Sequence, residues 1–310
     1  MNLQEWEFGS QRAGLETHAK ASRGAGATRS FLSGKSRITL LGTRKLDALR
    51  KIVTFDNWPM LILARVFDRK TGFVVYRKNG MDILVDYRGG DENGVRECIA
   101  SVMYRRYLPS LVLPGPVRVL DLGANGGGFP LMLALAGVQV GQVVCVEMNP
   151  LTCTRLQVNL ATNLGDAAFA INAAVCGLPV GSEILLNPSR GSTSYSMYTE
   201  QAGSSTPHVS IRTTTLQALY DQYFANEFVD ICKIDIESAE YDLIAASSDD
   251  LLRKIKYLFI EFHDAARTPA LLQRLMELGF VEIAVQDGLE TEAFGDVRAF
   301  RGPKAENPSK

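Results

Sequence analysis

Short apolar runs alternate with helix-period segments from residue 117 onward. The runs Val117-Arg-Val-Leu-Asp-Leu122, Val143-Val-Cys-Val-Glu147, Val229-Asp-Ile-Cys-Lys-Ile-Asp235 and Tyr257-Leu-Phe-Ile-Glu-Phe-His263 are apolar at most positions, as strands buried on both faces are. Residues 130–136, 150–163 and 216–224 carry helix spacing between them, and 269–278 adds another helix with Gly279 at its C-cap. A third strand is expected over 168–175, a small hairpin strand over 183–186, an edge strand over 209–213, and closing strands over 281–285 and 297–300. This alternation predicts an α/β fold, a mostly parallel, doubly wound sheet covered by helices on both sides.

The first third of the chain reads differently. Residues 1–36 are polar and locally basic, without a sustained period, and predict a flexible leader. Residues 37–116 predict an α+β lead-in. Leu46, Leu49 and Ile52 suggest a helix, and strands at 73–76 and 81–85 flank the turn Lys78-Asn79-Gly80. Asn-Gly between apolar runs is a strong hairpin signal. A helix is expected over 97–107, then Pro109, Pro114 and Pro116 punctuate the passage into a main domain spanning 117–302.

The chemistry concentrates where the first strand of that domain ends. Gly123, Gly126, Gly127 and Gly128 allow a sharp turn lying against a ligand. Asp121 sits at the carboxyl end of the strand, where open α/β sheets bind ligands. About 20 residues later, the spacing of a ribose-binding acid, Glu147 ends the next strand. Together these residues point to an adenosyl cofactor. A dinucleotide fingerprint wants glycine where Asn125 stands, and the carboxylate of Asp121 repels a pyrophosphate but suits an amino group. The electrostatic sign favours S-adenosylmethionine over NAD.

Composition narrows the class. A hydrophobic content of 46% and a charged content of 22% fit a globular chain with a sizeable core. A net charge of −1 gives no pull towards nucleic acid or an anionic membrane, so neither is expected as a partner. Five cysteines without CxxC spacing read as reduced core residues. With no apolar run long enough to span a bilayer and no secretory h-region, a cytoplasmic protein is the expectation.

Residues of about 93–265 resemble the FkbM-type methyltransferases, a branch of the class I, Rossmann-like S-adenosylmethionine-dependent enzymes. The resemblance rests on Asp121-Leu-Gly-Ala-Asn-Gly126, Glu147-Met-Asn-Pro150, Arg212-Thr-Thr-Thr-Leu216, Lys233-Ile-Asp-Ile-Glu237 with Ala239-Glu240, and Glu261-Phe-His263, in order over half the chain. It implies O-methylation of a hydroxyl on a sugar, glycan or small natural product. The cofactor residues expected are Asp121, Gly123, Ala124, Asn125, Gly126, Glu147, Asn149 and Asp235. Three departures stand out: Ser238 where the family has glycine, Gln217 in place of an aspartate, and Gly127-Gly128 where a branched or small residue and an aromatic are more typical.

An alcohol has a high pKa, so O-methylation needs a general base or a metal. Of three histidines, His18 lies in the leader and His208 follows a polar loop. His263 ends a predicted central strand and is expected to act as the base, with Asp235 and Glu237 as further catalytic residues. Strand alternation would put those two carboxylates on one face; a structural ion pair with Lys233 is the alternative. A divalent cation held by Asp235, Glu237, Glu261 and His263 is less favoured, and no metal ligand is assigned. The loop from Gly191 to Ser196 reads equally as a hydroxyl-rich lid or a plain connection. A non-catalytic cofactor-binding module is the competing function, kept open by Ser238 and Gln217.

Overall fold

Alternating burial along the chain builds two layers over one sheet. The computed structural model describes residues 48–67, 72–186, 208–225, 227–284 and 296–305. The expected leader, the Gly191–Ser196 loop, His18 and Leu46 lie outside them. Lys45–Lys310 forms one compact unit.

The lead-in begins with a helical turn at 48–52 and α1 (Trp58–Phe67), then β1 (Phe73–Lys78) and β2 (Met81–Asp86). The two strands pair antiparallel, and Asn79 and Gly80 both take positive φ, 48° and 83°, the twist that a two-residue hairpin requires. The helix α2 covers Asp91–Ala100, so it starts earlier and stops sooner than its expected 97–107. Ser101 ends it: its Oγ donates to the Glu97 carbonyl and accepts from the Met103 amide, replacing the helical ladder. A 3-10 turn at Arg105–Ser110 follows.

The main fold then runs β3 (Val117–Leu122), α3 (Gly128–Leu135), β4 (Val140–Glu147), α4 (Pro150–Leu164), β5 (Ala168–Asn172), β6 (Ala174–Val175), β7 (Glu183–Leu186), β8 (Val209–Thr214), α5 (Leu216–Tyr223), β9 (Val229–Ile234), α6 (Glu240–Ala246), α7 (Asp249–Leu252), β10 (Ile255–Phe262), α8 (Thr268–Glu277), β11 (Val281–Glu282) and β12 (Asp296–Arg301). Seven strands pair in the order β11-β12-β10-β9-β3-β4-β5. The five from β10 to β5 are parallel, and β12 runs antiparallel to both its neighbours. The expected strand 168–175 splits at Ala173, because β6 leaves the large sheet to pair with β8. That makes β8 the middle of a three-stranded sheet with β6 and β7 rather than an edge.

Side-chain alternation sends Val119, Cys145, Ile231 and Phe259 to one face and Leu120, Val144, Cys232 and Leu258 to the other. The first face packs α3 and α4 together with lead-in residues Tyr76, Ile83, Val95 and Tyr104. The second packs α5, α6 and α8. The sequence division at 116/117 therefore does not separate two cores. All five cysteines are buried and unbridged, as expected. Among the described residues, no helix is long and apolar enough to cross a membrane.

Candidate active site

The strand order reverses at β3, which sends α3 and β4 to one side and has β9 on the other. Ligands of open α/β sheets bind in the crevice beyond the carboxyl ends at such a point. The turn after β3 is built on left-handed residues: Gly123 at φ 74°, Asn125 at 50° and Gly127 at 87°. Asparagine is one of the few other residues that tolerates this region, because its short amide bonds locally. Here Asn125 Oδ1 accepts from the Gly126 amide at 2.6 Å. A Cβ at Gly123 would lie 1.7 Å from the Asp235 carbonyl oxygen, so only glycine fits there.

Glu147, at the end of β4, meets the turn directly. Its Oε2 accepts from the Asn125 amide at 2.9 Å and its Oε1 from the Asn149 amide at 2.8 Å. Burial pushes its carboxyl up to about 7 against the pull of those two amides. Asn149 caps α4, with Oδ1 on the amides of Leu151 and Thr152, so that side chain is committed to the helix.

Asp121 is not the open carboxylate that its position suggests. It is 0% exposed, neither oxygen has a hydrogen-bond partner, and Lys233 Nζ stands 3.2 Å from Oδ1. Burial raises its pKa, opposed by that ammonium. Lys233 is 4% exposed and also reaches Asp235 Oδ2 at 3.3 Å and the Gly123 carbonyl at 3.0 Å. Burial disfavours its charge, yet Asp121 and Asp235 outweigh burial and hold it protonated.

His263 follows β10. Its Nδ1 lies 3.1 Å from Oε1 of Glu240, a residue at the start of α6 with no exposed surface. Its Nε2 faces Asp235 Oδ1 at 3.7 Å, Glu237 Oε2 at 3.8 Å and Glu261 Oε1 at 3.9 Å. The expected trio thus comes together, though not by strand alternation. The strand β9 ends at Ile234, and Glu237 is turned towards the histidine by left-handed backbone at Glu237 (φ 51°) and Ser238 (φ 79°). Burial lowers the His263 pKa, but Glu240, Asp235 and Glu237 more than reverse this and lift it to about 9. That alters its expected role: at neutral pH the imidazole already carries its proton. Burial, then Asp235, pushes Glu261 up to about 7, which suits a proton acceptor near neutral pH.

Glu240 was missed in the sequence: it lies in a matched segment, but nothing in its spacing marks it as a partner of His263, whereas Glu261 was expected beside His263 only as a cation ligand. Asn159 was missed too. Its Nδ2 donates to the Gly126 and Leu84 carbonyls at 2.8 and 2.9 Å, tying the glycine turn to the lead-in hairpin. Its only signal is a second asparagine, Asn163, one helical turn on.

The residues fit an adenosyl group. Asp121 has buried acceptors without donors, each Glu147 oxygen keeps a further lone pair, and the glycine turn leaves backbone accessible. Asp235, Glu237 and His263 each place a ligand atom within 4.8 Å of the others, enough to surround a cation.

Residues 121–298 match the profile of the methyltransferase FkbM domain. No curated protein matches the chain. Similar solved structures include a methyltransferase FkbM from Methylobacillus flagellatus KT, at 13% identity and TM-score 0.41, covering 64% of this chain and 47% of that one. Trm5 of Methanocaldococcus jannaschii in complex with adenosine matches at 10% identity and TM-score 0.40, covering 76% and 57%. A precorrin-6y C5,15-methyltransferase from Geobacter metallireducens GS-15 matches at 13% and 0.37, covering 66% and 87%. The chain spans about half the length of the first two.

Proposed function

The chain belongs to the FkbM methyltransferase domain family, and from that premise we propose that it transfers a methyl group from S-adenosylmethionine to a hydroxyl of a sugar, glycan or small natural product. The observation that carries this reading is the convergence of Asp235, Glu237 and Glu261 on His263 Nε2 within 3.9 Å, at the end of the sheet where the glycine turn lies. Gly123, Ala124, Asn125 and Gly126 would cradle the cofactor and Glu147 would take its ribose, with Asp235 at its side; Asp121, buried behind the turn, and Asn149, capping α4, would support that cradle. When bound, the cofactor supplies an electrophilic methyl on a sulfonium.

The chain's own residues then have to orient the acceptor and move one proton. His263, charged below about 9, donates a hydrogen bond and holds the carboxylates in place. The acceptor proton goes to a carboxylate; Glu261, with its pKa near 7, and Glu237, raised by burial, are the groups tuned for it. The cytoplasm is the compartment proposed.

Calorimetric titration of S-adenosylmethionine into wild type and Glu147→Ala tests the cofactor. Loss of charge-assisted bonds should weaken binding by on the order of 1.5–3 kcal/mol per bond. Equal affinities would remove Glu147 from the ribose, and tight NADH binding without S-adenosylmethionine binding would overturn the cofactor altogether. A 13C-methyl donor offered with hydroxyl- and amine-bearing acceptors tests the chemistry: a methoxy signal is expected, and an N-methyl signal alone would refute O-transfer.

A second reading has a specific observation behind it. The oxygen and nitrogen ligands of Asp235, Glu237 and His263 suit Mg²⁺ or Mn²⁺. Turnover abolished by a chelator and restored by either ion would favour it; turnover indifferent to both would dismiss it.

A further inference from the structure

Lys233 is buried between the glycine turn and the His263 cluster, where its ammonium has one hydrogen-bond acceptor and two ion-pair partners. These are the Gly123 carbonyl at 3.0 Å, Asp121 Oδ1 at 3.2 Å and Asp235 Oδ2 at 3.3 Å. Parallel register sets Asp121 of β3 directly beside Lys233 of β9. Asp235 is the first residue past the end of β9, and its amide still donates to the Leu122 carbonyl of β3 at 3.0 Å.

Neutralising Asp121 would explain one contact but not the other two. A buried ion pair is poor at adding stability, since apolar residues of similar volume often do as well. The carbonyl of Gly123 carries no charge to neutralise, and it is presented to Lys233 by a turn that only glycine can make. Asp235 uses Oδ2 for Lys233, and its Oδ1 faces His263 Nε2 at 3.7 Å. One side chain therefore touches the turn on one flank and orients a carboxylate of the acceptor cluster on the other.

We infer that Lys233 is a positioning residue that fixes the glycine turn relative to Asp235 and His263, so that donor and acceptor sites keep one spacing. This deepens the proposed function and rests on its placing of the cofactor at the turn. In-line transfer is sensitive to such spacing, because ångström-scale misplacement of reacting groups is enough to lower rates strongly.

The test uses the full-length chain as Asp121→Asn, Lys233→Arg and the double variant Lys233→Met with Asp121→Asn, in which the fully buried pair is removed together and Asp235, 26% exposed, keeps His263. S-adenosylhomocysteine is titrated calorimetrically, and amide exchange of residues 123–127 is followed without ligand. Relative to Asp121→Asn, the double variant should bind about ten- to hundredfold more weakly, the range for losing a hydrogen bond to a charged group. Its turn amides should exchange faster while the centre of β4 stays protected. Equal affinity and equal exchange in those two variants would overturn the inference.

Should the double variant not fold, wild type and Lys233→Arg carry the test. The Lys233 ammonium protons of wild type should exchange more slowly than those of exposed lysines, and Lys233→Arg should change turn exchange. An ammonium that exchanges like the exposed ones, or unchanged turn exchange in Lys233→Arg, would refute it. Failure of wild type to bind S-adenosylhomocysteine would refute the cofactor reading alone, because the exchange measurements need no ligand.

Discussion

His263 shows how a single residue's chemistry is reset by what surrounds it. A histidine at the end of a strand ordinarily titrates near neutral pH, but four carboxylates lie within 4 Å of this ring. In an NMR titration its imidazole should show a midpoint near 9 rather than the ordinary 6.5. Glu240→Gln should bring the midpoint down, since that hydrogen bond is the foremost of the raising causes. A wild-type midpoint at 6.5 would contradict the geometry. The linkage has a definite sign: the folded pKa is raised, so this contribution to stability is complete below 6.5 and is lost as pH rises through about 9. Ser238 is the other telling residue. At φ 79° it stands in left-handed backbone, which costs a side-chain-bearing residue roughly 1–2 kcal/mol and glycine almost nothing. Ser238→Gly should therefore raise unfolding stability in urea, by about 1 kcal/mol after the entropy of the freer unfolded glycine. A destabilised variant would mean that the hydroxyl makes a compensating bond.

Among elements, the close crossings explain residues that spacing leaves unaccounted for. The carbonyl of Gly94 in α2 lies 2.7 Å from where a Cβ of Gly128 would be, and the Cβ position of Gly94 lies 2.7 Å from Asn125 Cγ. An aromatic at 128 would force α2 away from the start of α3, which accounts for glycine in place of the more typical residue. Asn159 fastens the same region from α4. It exchanges two hydrogen bonds with the backbone of Leu84 and donates a third to Gly126. Asn159→Ala leaves these buried groups unpaired and should cost on the order of 2–3 kcal/mol in chemical denaturation. It should also weaken cofactor binding; stability and binding both unchanged would show that water replaces the amide.

For the molecule as a whole, the lead-in completes the core of the main fold. Tyr104 packs edge-on against Phe129 at 5.1 Å between ring centroids and lies 6.2 Å from Phe259. Tyr107 Oη donates to the Val297 carbonyl of β12 at 2.8 Å, and the Val112 amide donates to Tyr257 Oη at 2.9 Å. A fragment beginning at Val117 would keep α3 and α4 on this face of the sheet but uncover the apolar surface that Tyr76, Ile83, Val95 and Tyr104 cover, since all four leave with the lead-in. Each large apolar contact so lost forfeits about 1.5–3 kcal/mol, so losing four is comparable to the whole stability of an ordinary domain. The fragment should show no cooperative thermal transition by calorimetry. A sharp transition near that of the full chain would make 117–302 an independent domain.

The strands were readable because a doubly covered sheet demands runs that are apolar at nearly every position, and Val143–Val146 or Val229–Ile234 can be little else. The glycine turn and Glu147 were readable because backbone geometry and spacing constrain them locally. The short helices α6 and α7 were not: each has under eight residues, and α6 lacks a side-chain cap at Ala239. The helix α1 escaped because it is apolar almost all round and shows no polar stripe. The split between β5 and β6 was hidden as well, since both halves are apolar and only the partner strands differ. Sequence by itself thus determined the sheet, the turn and the set of carboxylates near strand ends, all properties of short segments. Tertiary structure alone decided that Asp121 would be buried on Lys233, that Glu237 would reach His263 through a left-handed turn, and that Glu240 would hold the imidazole charged. Those outcomes depend on distances between residues far apart in the chain, and a pKa is set by such distances rather than by neighbours in sequence.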